Sequence, residues 1–252
     1  MELKELCEKS NIVFHNHKIH ISESIKHVKI DIGLSYNAPY SMKWLQNQSD
    51  LLVFGFEPNP ESLSFLLNPN TRRYNRYRGW MNFENPYLNK NFFIIPAALS
   101  NNETPQALNF YDISGDEGCS SLFKPNDDFF KRSGYTINRV VPVPVYNLAD
   151  FFKLLPESLE YVEHIKIDAQ GSDLNIIKGA GSFLKEKVVW LTIEADGWQY
   201  ENAEECSETN IVNYMIGQGF ERVYRHDVLD PTFLNLKFKE IAHSIWICQN
   251  YT

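Results

Sequence analysis

Four cysteines in 252 residues, Cys7, Cys119, Cys206 and Cys248, stand too far apart for any short paired spacing. That excludes a zinc ribbon and argues against a disulfide framework. No apolar run approaches the roughly 20 residues that a membrane-spanning helix needs. The first twenty residues, MELKELCEKSNIVFHNHKIH, hold no apolar core of signal-peptide length. A cytoplasmic protein with no membrane span is therefore expected. Positive charge is also short, since 24 basic against 32 acidic residues leave a net charge of −8. Overall charge gives no affinity for nucleic acid, and only a local basic patch would supply it. Repeats and low-complexity segments are missing. So is a G-x-G-x-x-G turn, which disfavours a nucleotide-cofactor oxidoreductase.

The hydrophobic share of 43 % and the charged share of 22 % are those of an ordinary globular chain. Short apolar, β-rich runs recur at Val28–Ile32, Leu51–Phe56, Phe92–Ile95, His164–Ile167, Val188–Ile193, Phe220–Tyr224 and His243–Cys248. Most are continuously apolar, as strands covered on both faces should be. Helix signals follow several of them. Pro39 suits a first helical position, Asn59-Pro60 an N-cap and N1 pair, and Ser172 or Asp173 a cap. Alternating strands and helices predict an α/β fold with a mostly parallel, doubly wound sheet. The short link before the last run predicts an antiparallel final strand. Ala107–Ile113 and Arg139–Tyr146 read as an inserted strand pair within 107–146. The long segment joining them, Ser114 to Asn138, is expected to be a lid. Residues 1–27 form an N-terminal extension to a single domain.

In such sheets ligands bind at the carboxyl ends of the strands, where strand order reverses. Four of these ends carry polar residues. The first is Asp31 with the turn Gly33, Ser35 and Asn37. Gly33 permits close backbone approach, and Asn37 tolerates left-handed backbone. The second is Glu57-Pro58-Asn59. Glu57 lies 26 residues after Asp31, the place of a ribose-binding acid. A carboxylate suits that task because it accepts from two hydroxyls at once. The third is Asp168, directly before Ala169, Gln170 and Gly171. The fourth pairs Glu194 with Asp196. Asp168 and Glu194 are placed to share a substrate proton or a divalent cation such as magnesium. Plain structural roles stand beside each reading: a strand–helix turn at Gly33, a helix-start acid at Glu57, and a turn-capping aspartate at Asp168.

Together these segments resemble the FkbM family of S-adenosylmethionine-dependent methyltransferases. The resemblance runs from about Val28 to Cys248. KIDIGLSYNAPYS is similar to the family's first motif, FGFEPNP to its ribose motif and IPAALSN to its third-strand motif. GCSSL, VPVYNLADFF and KIDAQGSDLNIIKGA follow in the family's order. Two departures stand out: first-motif glycines are reduced to Gly33, and Gln170 replaces the usual glutamate. The resemblance implies a class I, Rossmann-like methyltransferase fold. It implies S-adenosylmethionine held by Asp31, Gly33, Ser35, Asn37, Glu57, Pro58, Asn59 and Ala98, and a hydroxyl of a sugar or glycoconjugate as acceptor. Asp168 is the expected catalytic residue, helped by Glu194 and Asp196. A catalytically silent cofactor-binding domain is the alternative from another class.

Two further patterns are read more plainly. His15, His17, His20 and His27 lack a carboxylate or cysteine at matching spacing, so they are expected in a polar strand or loop. TRRYNRYRGW sets Arg72, Arg73, Arg76 and Arg78 among Tyr74, Tyr77 and Trp80. A solvated loop with packed tyrosines comes first, an anionic substrate second and nucleic acid last.

Overall fold

The computed structural model describes residues 1–68, 70–75, 79–195, 197–224 and 230–247. Its main sheet contains β1 (His27–Ile32), β2 (Leu51–Phe56), β3 (Phe92–Ile95), β4 (Val162–Ile167), β5 (Val188–Ile193), β6 (Phe220–Val223) and β7 (Thr232–Asn235). The strands lie in the order β6-β7-β5-β4-β1-β2-β3. β3, β2, β1, β4 and β5 are parallel, and β7 runs antiparallel to β5 and β6.

β2, β4 and β5 are buried at every position, so their sequences carry no alternation. Successive residues feed different cores. Leu52, Phe54 and Phe56 of β2 join Phe151 and Phe152 of helix Leu148–Leu154 and Leu174 and Ile177 of helix Asp173–Gly179. Leu51 and Val53 instead join Trp44 and Leu45 of helix Pro39–Asn47 and Phe65 of helix Pro60–Leu66. Each such side chain contributes about 1.5–3 kcal/mol on full burial, which makes the sheet a stiff platform for its loop ends. Pro39 and Pro60 open their helices as the sequence predicts, and the Asn59 side chain caps the second by accepting from Glu61 N.

The last strand differs from expectation. His243 to Ile247 belongs to helix Lys239–Ile247, and Cys248 lies outside the described residues. Ala242 and Ile245 pack beside Trp190 and Leu234, with Phe238 and Ile241 partly buried. Those positions follow the three-to-four spacing of a helix face. The antiparallel strand is Thr232–Asn235, inserted between β5 and β6.

The inserted pair is longer than predicted. Gln106–Ser114 pairs antiparallel with Thr136–Asn147, and Ala98–Ser100 adds a parallel third strand. Between them lie a short 3₁₀ turn, Glu117–Cys119, and the helix Asp127–Ser133. The arginine-rich segment is a hairpin of Asn70–Asn75 and Gly79–Glu84. Met81 and Phe83 pack inward, whereas Tyr74 and Trp80 are exposed, so Tyr74 is not the packed residue expected. Arg76, Tyr77 and Arg78 lie outside the described residues.

The extension is tied to the core through Leu3, Leu6, Cys7, Ile12 and Ile19, and Tyr146 Oη donates to the Met1 carbonyl at 2.9 Å. His17 sits in a hairpin turn with φ +63, and His15 stacks on His20 at 4.2 Å. Among the described residues no helix is long and apolar enough to cross a membrane.

Candidate active site

β1 leads to β2 on one side, while its other neighbour, β4, leads to β5. The sheet therefore reverses between β1 and β4, and their ends touch. Asp168 N donates to Ile32 O at 2.9 Å, and Gly33 N donates to Phe56 O at 3.0 Å. Gly33 has φ +82, and a Cβ there would lie 1.8 Å from the Asp168 carbonyl oxygen. Only glycine fits. Above this crossing opens a cavity of about 70 Å³. Ile32, Phe56, Ala98, Leu99, Phe110 and Leu122 supply its apolar wall. Gly33, Ser35, Glu57, Glu117, Ser120 and Asp168 supply the polar one. Its lining, an apolar wall with a few convergent polar groups, is that of a small-molecule site.

Glu57 is 4 % exposed. Its Oε2 accepts from Ser35 N at 3.0 Å and its Oε1 from Asn59 N at 2.7 Å. Burial outweighs these bonds and pushes the carboxyl up to about 8. Further hydroxyl donors would favour its charged form. Pro58 and Ala98 also line the cavity. Asn59 does not. Its Nδ2 donates to Asp112 Oδ1 at 3.2 Å and Ser120 Oγ at 3.0 Å, fastening the inserted segment to the end of β2.

Two more residues expected at the cavity lie elsewhere. Asp31 Oδ2 accepts from Ser41 N at 3.2 Å and Ser41 Oγ at 2.6 Å, so it anchors helix Pro39–Asn47 from below. Asn37 is neither in the lining nor left-handed. Ser35 and Ala38, with φ +53 and +41, make the turn instead.

At the end of β4, Asp168 Oδ2 pairs with Lys166 Nζ at 2.9 Å, and Oδ1 accepts from Gln170 Nε2 at 2.7 Å. Burial raises a carboxyl, but the Lys166 ammonium and side-chain hydrogen bonds with Glu194, Lys166 and Gln170 outweigh it. Asp168 is held below the usual carboxylate range. Lys166 shares the strand face of Asp168 two residues earlier, donates to Gly33 O at 3.4 Å, and sits 5.0 Å over the Tyr40 ring. Burial pulls its ammonium down, yet Asp168 and Asp31 hold it above its ordinary value.

Gln170 Nε2 donates to Glu194 Oε2 as well, which brings Glu194 beside Asp168. Asp196 lies outside the described residues. The turn itself is held by Asp173, whose Oδ1 accepts from Ala169 N at 2.8 Å and Oδ2 from Gly171 N at 3.0 Å. The turn-capping role open to Asp168 thus falls to Asp173, and Asp168 is left facing the cavity.

The inserted segment covers this end. Ser121 Oγ donates to Gln170 O at 2.6 Å, and the Tyr200 hydroxyl is shared between Gln170 Oε1 at 2.6 Å and Cys119 O at 3.0 Å. Sequence reasoning assigned no role to Lys166, Glu117 or Tyr200. Lys166 had a signal, a lysine two residues before the strand-end acid. Glu117 and Tyr200 reach the site only through folding.

A divalent cation takes six or more oxygen ligands, carboxylates prominent among them. Here Lys166 occupies one oxygen of Asp168, and the Gln170 amide donates to the other and to Glu194. Among the described residues no three His, Cys, Asp or Glu side chains gather to hold an ion. This donor set does not fit a resident divalent ion. S-adenosylmethionine fits better. The glycine cradle, the buried Glu57 and the apolar wall match a ligand with backbone-hugging, hydroxyl-bearing and flat apolar parts.

The family model for the Methyltransferase FkbM domain matches residues 25–225. No curated protein matches this chain. Among solved structures, the methyltransferase FkbM from Methylobacillus flagellatus KT is 14 % identical, with a TM-score of 0.48. That match covers 92 % of this chain and 50 % of the other, so the chain spans about half that protein's length.

Proposed function

The chain belongs to the FkbM methyltransferase family, and on that premise we propose that it transfers a methyl group from S-adenosylmethionine to a hydroxyl oxygen of a sugar or glycoconjugate. The observation that carries this reading is the pairing, in one cavity, of the buried Glu57 with the ionised Asp168 across the Gly33 cradle. We take residues 1–252 as one class I methyltransferase domain, the inserted 107–146 hairpin closing the cavity as a lid.

S-adenosylmethionine supplies an activated methyl group on a sulfonium centre. Glu57 receives the ribose hydroxyls. Gly33 and Ser35 offer close backbone approach, and Pro58 and Ala98 border the apolar wall where a base packs. Asp31 and Asn59 act one step back: Asp31 fixes the helix after the Gly33 turn, and Asn59 fixes both Glu57 and the lid. Alignment of the acceptor supplies most of the rate, because the methyl is already activated. The remaining task is the acceptor's proton. An alcohol is a weak acid, but its oxygen turns strongly acidic as the new bond forms. An ionised carboxylate of low pKa is therefore sufficient, and Asp168 takes that proton with Glu194 beside it.

Glu57→Ala removes charge-assisted hydrogen bonds of about 1.5–3 kcal/mol each, so calorimetry should find S-adenosylmethionine bound at least ~10-fold more weakly. An unchanged dissociation constant in the folded variant would remove Glu57 from the site. Replacing residues 120–123 by a Gly-Ser linker should depress turnover at least ~10-fold, since lids exclude water and complete the site. Cofactor affinity should also fall, because Ser120 steadies Asn59 at the ribose end. Normal turnover in that variant would refute the lid. The reaction itself is tested by transfer of labelled methyl onto nucleotide sugars and free glycans. Cofactor binding with transfer only to non-hydroxyl acceptors would contradict the acceptor class.

A further inference from the structure

Two carboxylates that converge on one point repel unless a proton, a cation or a donor stands between them. Asp168 and Glu194 lie within hydrogen-bond reach of each other, and the amide of Gln170 bridges both. Nε2 donates to Asp168 Oδ1 at 2.7 Å and to Glu194 Oε2, one N–H for each. Its orientation follows from its neighbours. Carboxylates only accept, and a flipped amide would set three acceptor oxygens together. The other end of the amide is fixed too, with Oε1 at 2.6 Å from the Tyr200 hydroxyl. The backbone is equally constrained. Gln170 is left-handed with φ +53, and its carbonyl accepts from Ser121 Oγ at 2.6 Å. A residue other than glycine keeps such a conformation only where its surroundings over-determine it.

We infer that Gln170 is a positioning residue standing where a divalent cation would otherwise sit: its amide bridges the carboxyl groups of Asp168 and Glu194, and the site works without a metal. A carboxylate at position 170 would present a third acidic oxygen donor to the same point. The set would then be one of hard oxygen ligands, the kind that takes magnesium or manganese. The bearing of Gln170 on turnover rests on the methyl-transfer reading; its bearing on cations does not.

The test is calorimetric titration of Mn²⁺ into the full chain, wild type and Gln170→Glu, without cofactor. Wild type should give a flat isotherm to about 1 mM, whereas Gln170→Glu should bind one ion at least ~10-fold more tightly than that limit. Its melting temperature should rise with Mn²⁺ while that of wild type stays put. Saturable Mn²⁺ binding by wild type overturns the inference, and so does a folded Gln170→Glu that binds none. If the variant fails to fold, the wild-type titration still decides between a flat and a saturable isotherm. On a confirmed acceptor, magnesium should restore turnover to Gln170→Glu and leave wild type unchanged. Absence of turnover in every form, with the Mn²⁺ results as expected, counts against the methyl-transfer reading alone.

Discussion

Asp168→Asn should lower turnover by roughly 10²–10⁴-fold, the usual worth of a positioned proton acceptor, while the dissociation constant for S-adenosylmethionine shifts no more than about twofold. The substitution keeps the shape of the side chain and removes its charge. A carboxamide is not a proton acceptor of any strength, so the acceptor oxygen would have to shed its proton to water in a covered site. Lys166 would lose its nearest partner, at 2.9 Å, but would keep the nearby charge of Asp31. A modest fall in melting temperature is expected beside the kinetic effect, and cofactor affinity separates the two. EDTA should leave wild-type turnover unchanged, since the Gln170 amide and the Lys166 ammonium already occupy the oxygens a metal would need. Full activity of Asp168→Asn on a confirmed acceptor would return Asp168 to a structural role.

Gly33→Ala should be the most damaging single methyl group in the chain. Its Cβ would sit 1.8 Å from the Asp168 carbonyl oxygen, a backbone atom held by the β1–β4 pairing, and φ is +82. Left-handed strain and overpacking each cost about 1–3 kcal/mol, so a loss of roughly 3–5 kcal/mol is expected. For a domain of this size that is a fall of about 10 °C or more in melting temperature. Gly217→Ala is the matched control. It lies in helix Glu208–Gly217 with nothing within 4 Å of the added Cβ, and it should melt at or above the wild-type temperature. Equal melting temperatures for Gly33→Ala and wild type would show that the strand ends can part, and with them the cradle.

The sheet was legible because its strands are short, wholly apolar and closed by turns. Leu51–Phe56, Phe92–Ile95 and Val188–Ile193 match their predicted bounds. β7 was not legible, since four residues after Pro231 are too few to outweigh the β-branched look of His243–Cys248. A buried helix face and a buried strand draw on the same residues there, and only the spacing of Phe238, Ala242 and Ile245 separates them. At the site, strand-end acids were visible because a charge next to an apolar run has nowhere to go but the loop end. Which way each acid turns was not. Asp31 turns under a helix, Glu57 and Asp168 turn into the cavity, and Asp173 takes the turn N–H groups. Those choices depend on Ser41, Lys166 and Gln170, partners that local pattern does not rank. Glu117 and Tyr200 come from segments remote in sequence, brought in by the inserted hairpin and the loop after β5.

Amide hydrogen exchange with and without S-adenosylmethionine tests the central assignment most directly, because it locates the ligand without needing an acceptor. One cofactor per chain should slow exchange at residues 33–37, 57–61, 97–99 and 117–122 together, the β1 turn, the β2 end, the strand after β3 and the inserted segment. No binding, or protection confined to surfaces away from the strand ends such as residues 15–26 and 156–161, would contradict the account.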